Sequence, residues 1–359
     1  MSNTAAQPTP KKILLVLTGG TICSFANEKG EQHSDTDKAQ NLIVQRFRDG
    51  DSPYRGEDAV AFETVSPLDI LSENMTVAHW QTLACCLREC AFSAYDGVIL
   101  LHGTDTLAFT ASLLSLLLAG TATPIFLACA QRPLYEAASN GNDNFRTAVE
   151  CIVDGIQPNV YVPYRNDDGV MYLHYAAHLQ QCQNHSDNFY SADMQPMEKH
   201  TDFRSTASAP RGLLLYDCGE LTNCVLNITP YVGMDYSRFS LDGVKAVLHH
   251  TYHSGTVAVN PHPRGADAQL PLAYTEQSII YLKRLCDGAE VELYIEPCDR
   301  DTAYLYETTG ELLRGGVGTS WRTTSEMAYV KLLVGCSLGY TGAALQRFMD
   351  EEVNGEFIR

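Results

Sequence analysis

The sequence contains little positive charge and no apolar run long enough to cross a membrane. Its 359 residues include 25 Lys and Arg against 43 Asp and Glu, which gives a formal net charge of -18. This balance argues against binding to nucleic-acid backbones or to anionic membrane surfaces. The polar stretch 1–10 is unlike a secretory signal. We therefore expect a cytoplasmic protein with neither a nucleic-acid nor a membrane partner.

Several motifs of known chemistry are also missing. None of the 12 Cys residues forms a Cys-x-x-Cys pair, so the pattern favours free thiols and no metal site. The first Gly-Gly turn is not followed by the Gly-Lys-Ser/Thr of a phosphate loop. It also lacks the third Gly of a dinucleotide fingerprint.

Two apolar segments each end in a turn that contains Gly and Thr. Residues 12–17 run into Gly20-Thr21, and residues 98–101 run into Gly103-Thr104 and then an apolar helix. Both segments are typical of buried parallel strands, and ligands in such sheets bind beyond the carboxyl ends of the strands. One interpretation is a pocket built from two hydroxyl groups. The other is an ordinary turn and helix cap.

Strand-like and helix-like segments alternate along most of the chain. This pattern predicts repeated β-α-β units, and the length favours two domains. We place an N-terminal α/β catalytic domain at 1–204, a linker at 205–222 and a C-terminal α/β domain at 223–359. Residues 212–216 and 224–228 are both predicted to be strands. The polar stretch 23–37 is predicted to be a lid loop over the first turn.

Four motifs in this order resemble the bacterial-type L-asparaginase family, which includes glutaminase-asparaginases and a related amidotransferase subunit. The motifs are Thr18-Gly19-Gly20-Thr21-Ile22, Ser72-Glu73-Asn74-Met75, His102-Gly103-Thr104-Asp105-Thr106 and Gln131-Arg132-Pro133. The resemblance implies a larger flavodoxin-like N-terminal domain and a smaller C-terminal α/β domain. It also implies hydrolysis of a side-chain amide without metal or cofactor, in a homodimer or homotetramer. The amidotransferase subunit is expected to need an extra N-terminal domain.

Site roles follow from the same resemblance, residue by residue. Thr21 would be the nucleophile, and Thr104 with Asp105 would form the second catalytic group. Ser72, Glu73 and Asp105 would hold the amino-acid end of a small amino-acid amide substrate. Gly20 and Gly103 would line the same site. This assignment agrees with the chemistry, because an amide needs an activated nucleophile and an oxyanion donor.

Two positions depart from the family pattern. The family has a Tyr in the lid, whereas 23–37 contains none. The family also completes the Thr-Asp pair with a Lys, and matching backward from the segment 187–191 puts Gln180 at that place. An amide side chain cannot accept a proton at neutral pH. His33, His178 and His185 are therefore candidate replacement bases.

Three hypotheses follow from these departures. The chain is an active asparaginase-type amidohydrolase with altered machinery, or it hydrolyses a different amide on the same scaffold. Alternatively, it binds an amino acid without chemistry, as a sensor or partner subunit. In the second half, His253 or Thr256 is expected to line the pocket.

Overall fold

A computed structural model describes residues 9–192, 194, 214–259, 275–298 and 306–358. The chain divides into two compact units, one formed by residues 1–217 with 353–355, the other by residues 218–352 with 356–359. Both units contain α-helices packed on parallel sheet, which confirms the predicted α/β fold. Among the described residues, none of the helices combines the length and apolar character needed to span a membrane.

The first unit contains strands β1 to β10 and helices α1 to α5. The strands are β1 (Lys11–Leu17), β2 (Ser24–Ala26), β3 (Gln32–Ser34), β4 (Val60–Val65), β5 (Gly97–Leu101), β6 (Ile125–Ala128), β7 (Val160–Arg165), β8 (Met171–Tyr175), β9 (Leu179–Gln180) and β10 (Tyr190–Ser191). The helices are α1 (Thr36–Asp49), α2 (Val77–Glu89), α3 (Leu107–Leu117), α4 (Gly141–Val153) and α5 (Leu214–Asp217).

The main sheet of this unit has the strand order β4-β1-β5-β6-β7-β8. All its pairings are parallel except that of β7 with β8. The five parallel strands follow the doubly wound order 2-1-3-4-5 of flavodoxin-like sheets. The strand order reverses direction between β1 and β5, so the crevice at their carboxyl ends is where such sheets bind ligands.

Burial explains why the central strands form. Residues 13–17 of β1 and all of β5 are buried, as expected for strands covered on both faces. Helix α3 is apolar all round, and ten of its eleven residues are buried. The strand predicted at 212–216 is wrong in its described part, because Leu214–Asp217 forms a helical turn. A short apolar run cannot distinguish the two conformations by periodicity.

The second unit contains a four-stranded parallel sheet in the order β11-β12-β13-β14. The strands are β11 (Val225–Ile228), β12 (Ala246–His249), β13 (Glu292–Cys298) and β14 (Gly318–Trp321). The helices are α6 (Ile279–Gly288), α7 (Glu307–Arg314), α8 (Ser325–Ser337) and α9 (Gly342–Asp350). Helix α8 is buried over most of its length and carries the fully buried Lys331.

Candidate active site

Two glycine turns touch at the carboxyl ends of β1 and β5. Leu17 and Leu101 are partners in the strand register, and the chain continues from each into its Gly-Thr turn. A Cβ atom built on Gly20 would lie 2.2 Å from the Cα of Gly103, and Gly20 has a φ of +82°. Only glycine permits both this approach and this backbone conformation. The contact therefore brings the Thr21 turn against the Thr104 turn.

Ser72 joins the second turn through three hydrogen bonds. Its hydroxyl oxygen accepts from the Asp105 N–H at 3.2 Å and donates to Asp105 Oδ2 at 3.5 Å. Its carbonyl accepts from the Thr106 hydroxyl at 3.0 Å. The segment that carries Ser72 is held in place by Ile70, which forms a parallel bridge with Gly19. Three loops from distant parts of the sequence thus meet at one edge of the sheet.

Exposure separates structural hydroxyls from available ones. Thr18 is buried, and its hydroxyl donates to the carbonyl of Leu101 at 2.8 Å. Thr21 and Thr104 are half-buried, whereas Asp105 and Glu73 are exposed. The predicted nucleophile and its partner turn are therefore accessible to a ligand. The carboxylates of Asp105 and Glu73 are accessible as well.

His102 fixes the backbone of the second turn. Its Nδ1 lies 2.7 Å from the carbonyl oxygen of Gly103, which requires the tautomer with a proton on Nδ1. Burial lowers the pKa of His102 to about 4, although the hydrogen bond to Gly103 acts in the opposite direction. The ring is therefore neutral near pH 7. Being fully buried, it supports the turn rather than exchanging protons with a ligand.

A pocket of about 390 Å³ opens beside Thr104 and Asp105. Its lining comes from three strand ends, those of β5, β6 and β7, and from the loop after β9: Thr104, Asp105, Gln131, Tyr164, Gln181, Cys182, Gln183, Asn184, His185, Ser186, Asp187 and Phe189. Gln181 Nε2 donates to the Asp105 carbonyl at 2.7 Å. The structure thus places Gln181, and not Gln180, beside Asp105.

The position of Gln181 was not predicted from the sequence. Gln180 is exposed on β9 and pairs with Tyr190, and adjacent residues of an extended chain point to opposite sides. The loop that follows β9 is held by internal hydrogen bonds. In one of them, the Cys182 thiol donates to the Ser186 carbonyl at 2.6 Å. Counting back from the segment 187–191 cannot anticipate such a loop. A window of two residues around Gln180 would have included Gln181.

The three candidate histidines lie in different surroundings. His185, at a φ of 64°, lines the pocket together with Thr104 and Asp105. His178 is buried, and its Nε2 lies 2.8 Å from the carbonyl oxygen of Gly355. His33 is exposed on β3. Of these three, the structure brings only His185 to the pocket that contains Thr104.

The predicted lid loop is a short β-hairpin. Strands β2 and β3 pair with Phe25 opposite His33, and a Tyr from a distant segment packs on them. The rings of Tyr135 and Phe25 are 6.1 Å apart, and the Tyr135 hydroxyl accepts from Gln32 Nε2 at 3.0 Å. A phenol therefore contacts the hairpin although residues 23–37 contain no Tyr.

In the second unit, polar residues gather at the carboxyl ends of three strands. His250 lies 3.2 Å from Glu296 Oε1 and 2.7 Å from Asn227 Oδ1. Burial would raise the pKa of Glu296, but hydrogen bonds from His250, Ser325 and the Thr251 N–H lower it to about 2. The carboxylate is therefore charged near neutral pH.

The expectation for His253 and Thr256 concerns the next turn. Tyr252 and Thr256 form an isolated antiparallel bridge around it, and the hydroxyls of Ser254 and Thr256 are 2.9 Å apart. His253 is exposed. Their role in a pocket remains a prediction. Among the residues that the structure describes, no group of three His, Cys, Asp or Glu side chains is arranged to hold a metal ion.

Comparison with known proteins identifies similar chains. The family model described as asparaginase, N-terminal, matches residues 12–208. A glutamyl-tRNA(Gln) amidotransferase subunit of Methanobrevibacter smithii is 25% identical over 98% of this chain and 78% of its own length.

Two solved structures have a similar fold. The thermostable L-asparaginase from Thermococcus kodakarensis has a TM-score of 0.68 at 22% identity and covers 96% of this chain and 99% of its own. The probable cytoplasmic L-asparaginase from Campylobacter jejuni has a TM-score of 0.66 at 20% identity, covering 94% and 99%. At such identities, the likeness shows the fold alone.

Proposed function

Because the chain belongs to the asparaginase family, we propose that it is an amidohydrolase that converts the side-chain amide of asparagine, or of a related amino-acid amide, to a carboxylate and ammonia. The contact between Gly20 and Gly103 carries this proposal. The turns that carry Thr21 and Thr104, both half-buried, meet there at the strand ends where sheets of this topology bind ligands.

The proposed mechanism uses Thr21 as the nucleophile. Its hydroxyl oxygen attacks the amide carbon, the C–N bond breaks, and the nitrogen takes up a proton and leaves as ammonia. Water then hydrolyses the resulting ester and releases Thr21. Backbone N–H groups at the Gly-Thr turns are suitable donors to the oxyanion. Asp105 and Glu73 would bind the substrate ammonium group, and Ser72 orients Asp105.

Proton transfer is assigned to His185. Gln181 occupies the position beside Asp105, and a carboxamide does not accept a proton at neutral pH. An imidazole nitrogen can accept a proton near neutral pH, so a histidine is chemically suited to act as the base. His185 shares the pocket with Thr104, which supports this choice over His33 and His178.

The remaining properties are also proposals. A small amino-acid amide is the proposed substrate, and a homodimer or homotetramer is the proposed assembly, with no metal or cofactor taking part. Location in the cytoplasm is supported by the name of the Campylobacter neighbour.

A second candidate function is that of an amidotransferase subunit. The Methanobrevibacter relative aligns with 98% of this chain, and this coverage favours the hypothesis. Such a chain would act together with a protein partner. A catalytically inactive scaffold that binds an amino acid is the third possibility.

Ammonia release by the purified chain separates these functions. The substrates are L-asparagine, L-glutamine and their D-forms, with thermal shift measured on the same samples. Turnover of any of the four supports the hydrolase. A thermal shift without ammonia supports the binding scaffold, and ammonia release only after addition of a protein partner supports the amidotransferase hypothesis.

A further inference from the structure

The pocket beside Thr104 contains polar atoms that the two glycine turns do not use. Tyr164 on β7 is fully buried and lines the pocket, and its hydroxyl has no hydrogen-bond partner among the described residues. Gln131 follows β6, and its side-chain oxygen is buried and equally unpaired within the described part of the chain. Since buried polar groups are nearly always hydrogen bonded, these two atoms indicate a bound group.

The two side chains are held in place by their neighbours. Asn140, which is fully buried, accepts from the Gln131 N–H at 3.0 Å and donates to the Arg165 carbonyl at 2.9 Å. It therefore ties the end of β6 to the end of β7. The ring of Tyr164 packs edge-on against Phe189 at a centroid distance of 4.9 Å. A site fixed in this way is preorganised for its ligand.

The charge of the lining restricts what this ligand can be. Four carboxamides line the pocket along with the carboxylates of Asp105 and Asp187, and no Lys or Arg is among the lining residues. A carboxylate in this pocket would face two like charges, whereas a neutral amide would find both donors and acceptors. Burial raises the pKa of Tyr164, so its hydroxyl keeps the proton that it can donate.

We propose that Tyr164 and Gln131 bind a neutral amide that stands in place of the free α-carboxylate of the substrate. The substrate class is then asparagine or glutamine with an amide-bonded α-carboxyl group, as at the N-terminus of a peptide. The Tyr164 hydroxyl donates to the carbonyl of that amide, and Gln131 Oε1 accepts from its N–H. The ammonium group faces Asp105. This inference rests on the proposed function.

The size of the pocket agrees with such a substrate. Its volume of about 390 Å³ falls in the range of about 300–1,000 Å³ that is usual for small-molecule pockets. The bond that breaks is still the C–N bond of the side-chain carboxamide, with water as the second reactant. The subsite changes which substrate is bound and leaves the chemistry unchanged.

The test compares L-asparagine with L-asparagine α-N-methylamide, and the corresponding glutamine pair, in ammonia release by the full chain. The N-methylamide contains one primary amide, so ammonia reports only on the side chain. We expect kcat/KM to be roughly tenfold or more higher for the N-methylamide. Tyr164→Phe should lower this value by roughly two- to tenfold, and by more than it lowers the value for free asparagine.

The matched control is Tyr172→Phe, because the Tyr172 hydroxyl donates to Asp168 at 2.9 Å and does not line the pocket. It should leave both values unchanged. A preference for the free amino acids, or equal effects of Tyr164→Phe on both members of a pair, would overturn the subsite while the hydrolase function stands.

Absence of ammonia from all substrates would refute the hydrolase function, and calorimetric titration then decides about the subsite. Tighter binding of the N-methylamide than of free asparagine, weakened by Tyr164→Phe, supports it. Equal binding, or none, overturns it.

Discussion

Replacing Lys331 by Met should strongly destabilise the second unit. Lys331 and Glu356 are both fully buried, and their Nζ and Oε1 atoms are 2.6 Å apart. Nζ also donates to the carbonyls of Met349 and Glu351. Removing one partner of such a pair leaves an uncompensated buried charge, at a cost of about 3–5 kcal/mol. For a domain near 150 residues, this lowers Tm by roughly 6–20 °C.

The assay is differential scanning calorimetry of wild type, Lys331→Met and a Lys331→Met/Glu356→Leu double variant. The double variant removes the stranded carboxylate, so it should regain most of the lost Tm. Burial lowers the pKa of Lys331, while Glu356 favours its charged form. A Tm change under about 2 °C in the single variant, or a double variant less stable than the single one, would refute this account of the pair.

Three further predictions concern the two sheets. Gly103→Ala should reduce ammonia release more than about 100-fold, because the Cβ of the new alanine would lie 2.3 Å from Ser72 Oγ. Steady-state kinetics equal to those of wild type would contradict this. His185→Ala should lower kcat by roughly 10²–10⁴-fold, and adding Gln181→Lys to this variant should restore part of the lost kcat. A pH-rate profile of His185→Ala equal to that of wild type would reject His185 as the base. Glu296 has a pKa of about 2 in the folded chain, below its ordinary value near 4.3, so the stability it contributes is fully present above pH 4.3 and is lost as the pH falls toward 2. Glu296→Gln should therefore reduce the change of the urea unfolding midpoint between these two pH values. If the midpoint of wild type and variant changed equally with pH, the prediction would be contradicted.

The sequence was sufficient to predict the central strands of the first unit. Residues 13–17 and 98–101 are uninterrupted apolar runs that end at glycine, and their complete burial makes this pattern informative. The hairpin of β2 and β3 has three-residue strands without alternation, so its sequence resembles a polar loop. The hairpin also forms a hydrogen bond from Gln32 to the distant Tyr135, and no local sequence pattern predicts this contact.

The parts of the candidate site that could be predicted are those in which a short sequence motif is sufficient to specify the local backbone conformation. Gly20 and Gly103 mark tight turns in the sequence, and the structure adds that the two turns touch. Gln181 and Tyr164 were not predicted. Their positions depend on the folded loop after β9 and on the hydrogen bonds by which Asn140 links the ends of β6 and β7. Such tertiary contacts join residues far apart in the chain, so hydrophobic periodicity and secondary-structure propensity cannot predict them.

The central claim is that an accessible hydroxyl at Thr21, supported by Thr104, hydrolyses an amino-acid amide. The most direct measurement is kcat/KM for ammonia release by Thr21→Ala and Thr104→Ala on the best substrate of wild type, with Tm recorded for each variant. Both variants should lose at least about 100-fold in kcat/KM while their Tm stays within a few degrees of wild type. A Thr21→Ala variant that releases ammonia at the wild-type rate would contradict the claim.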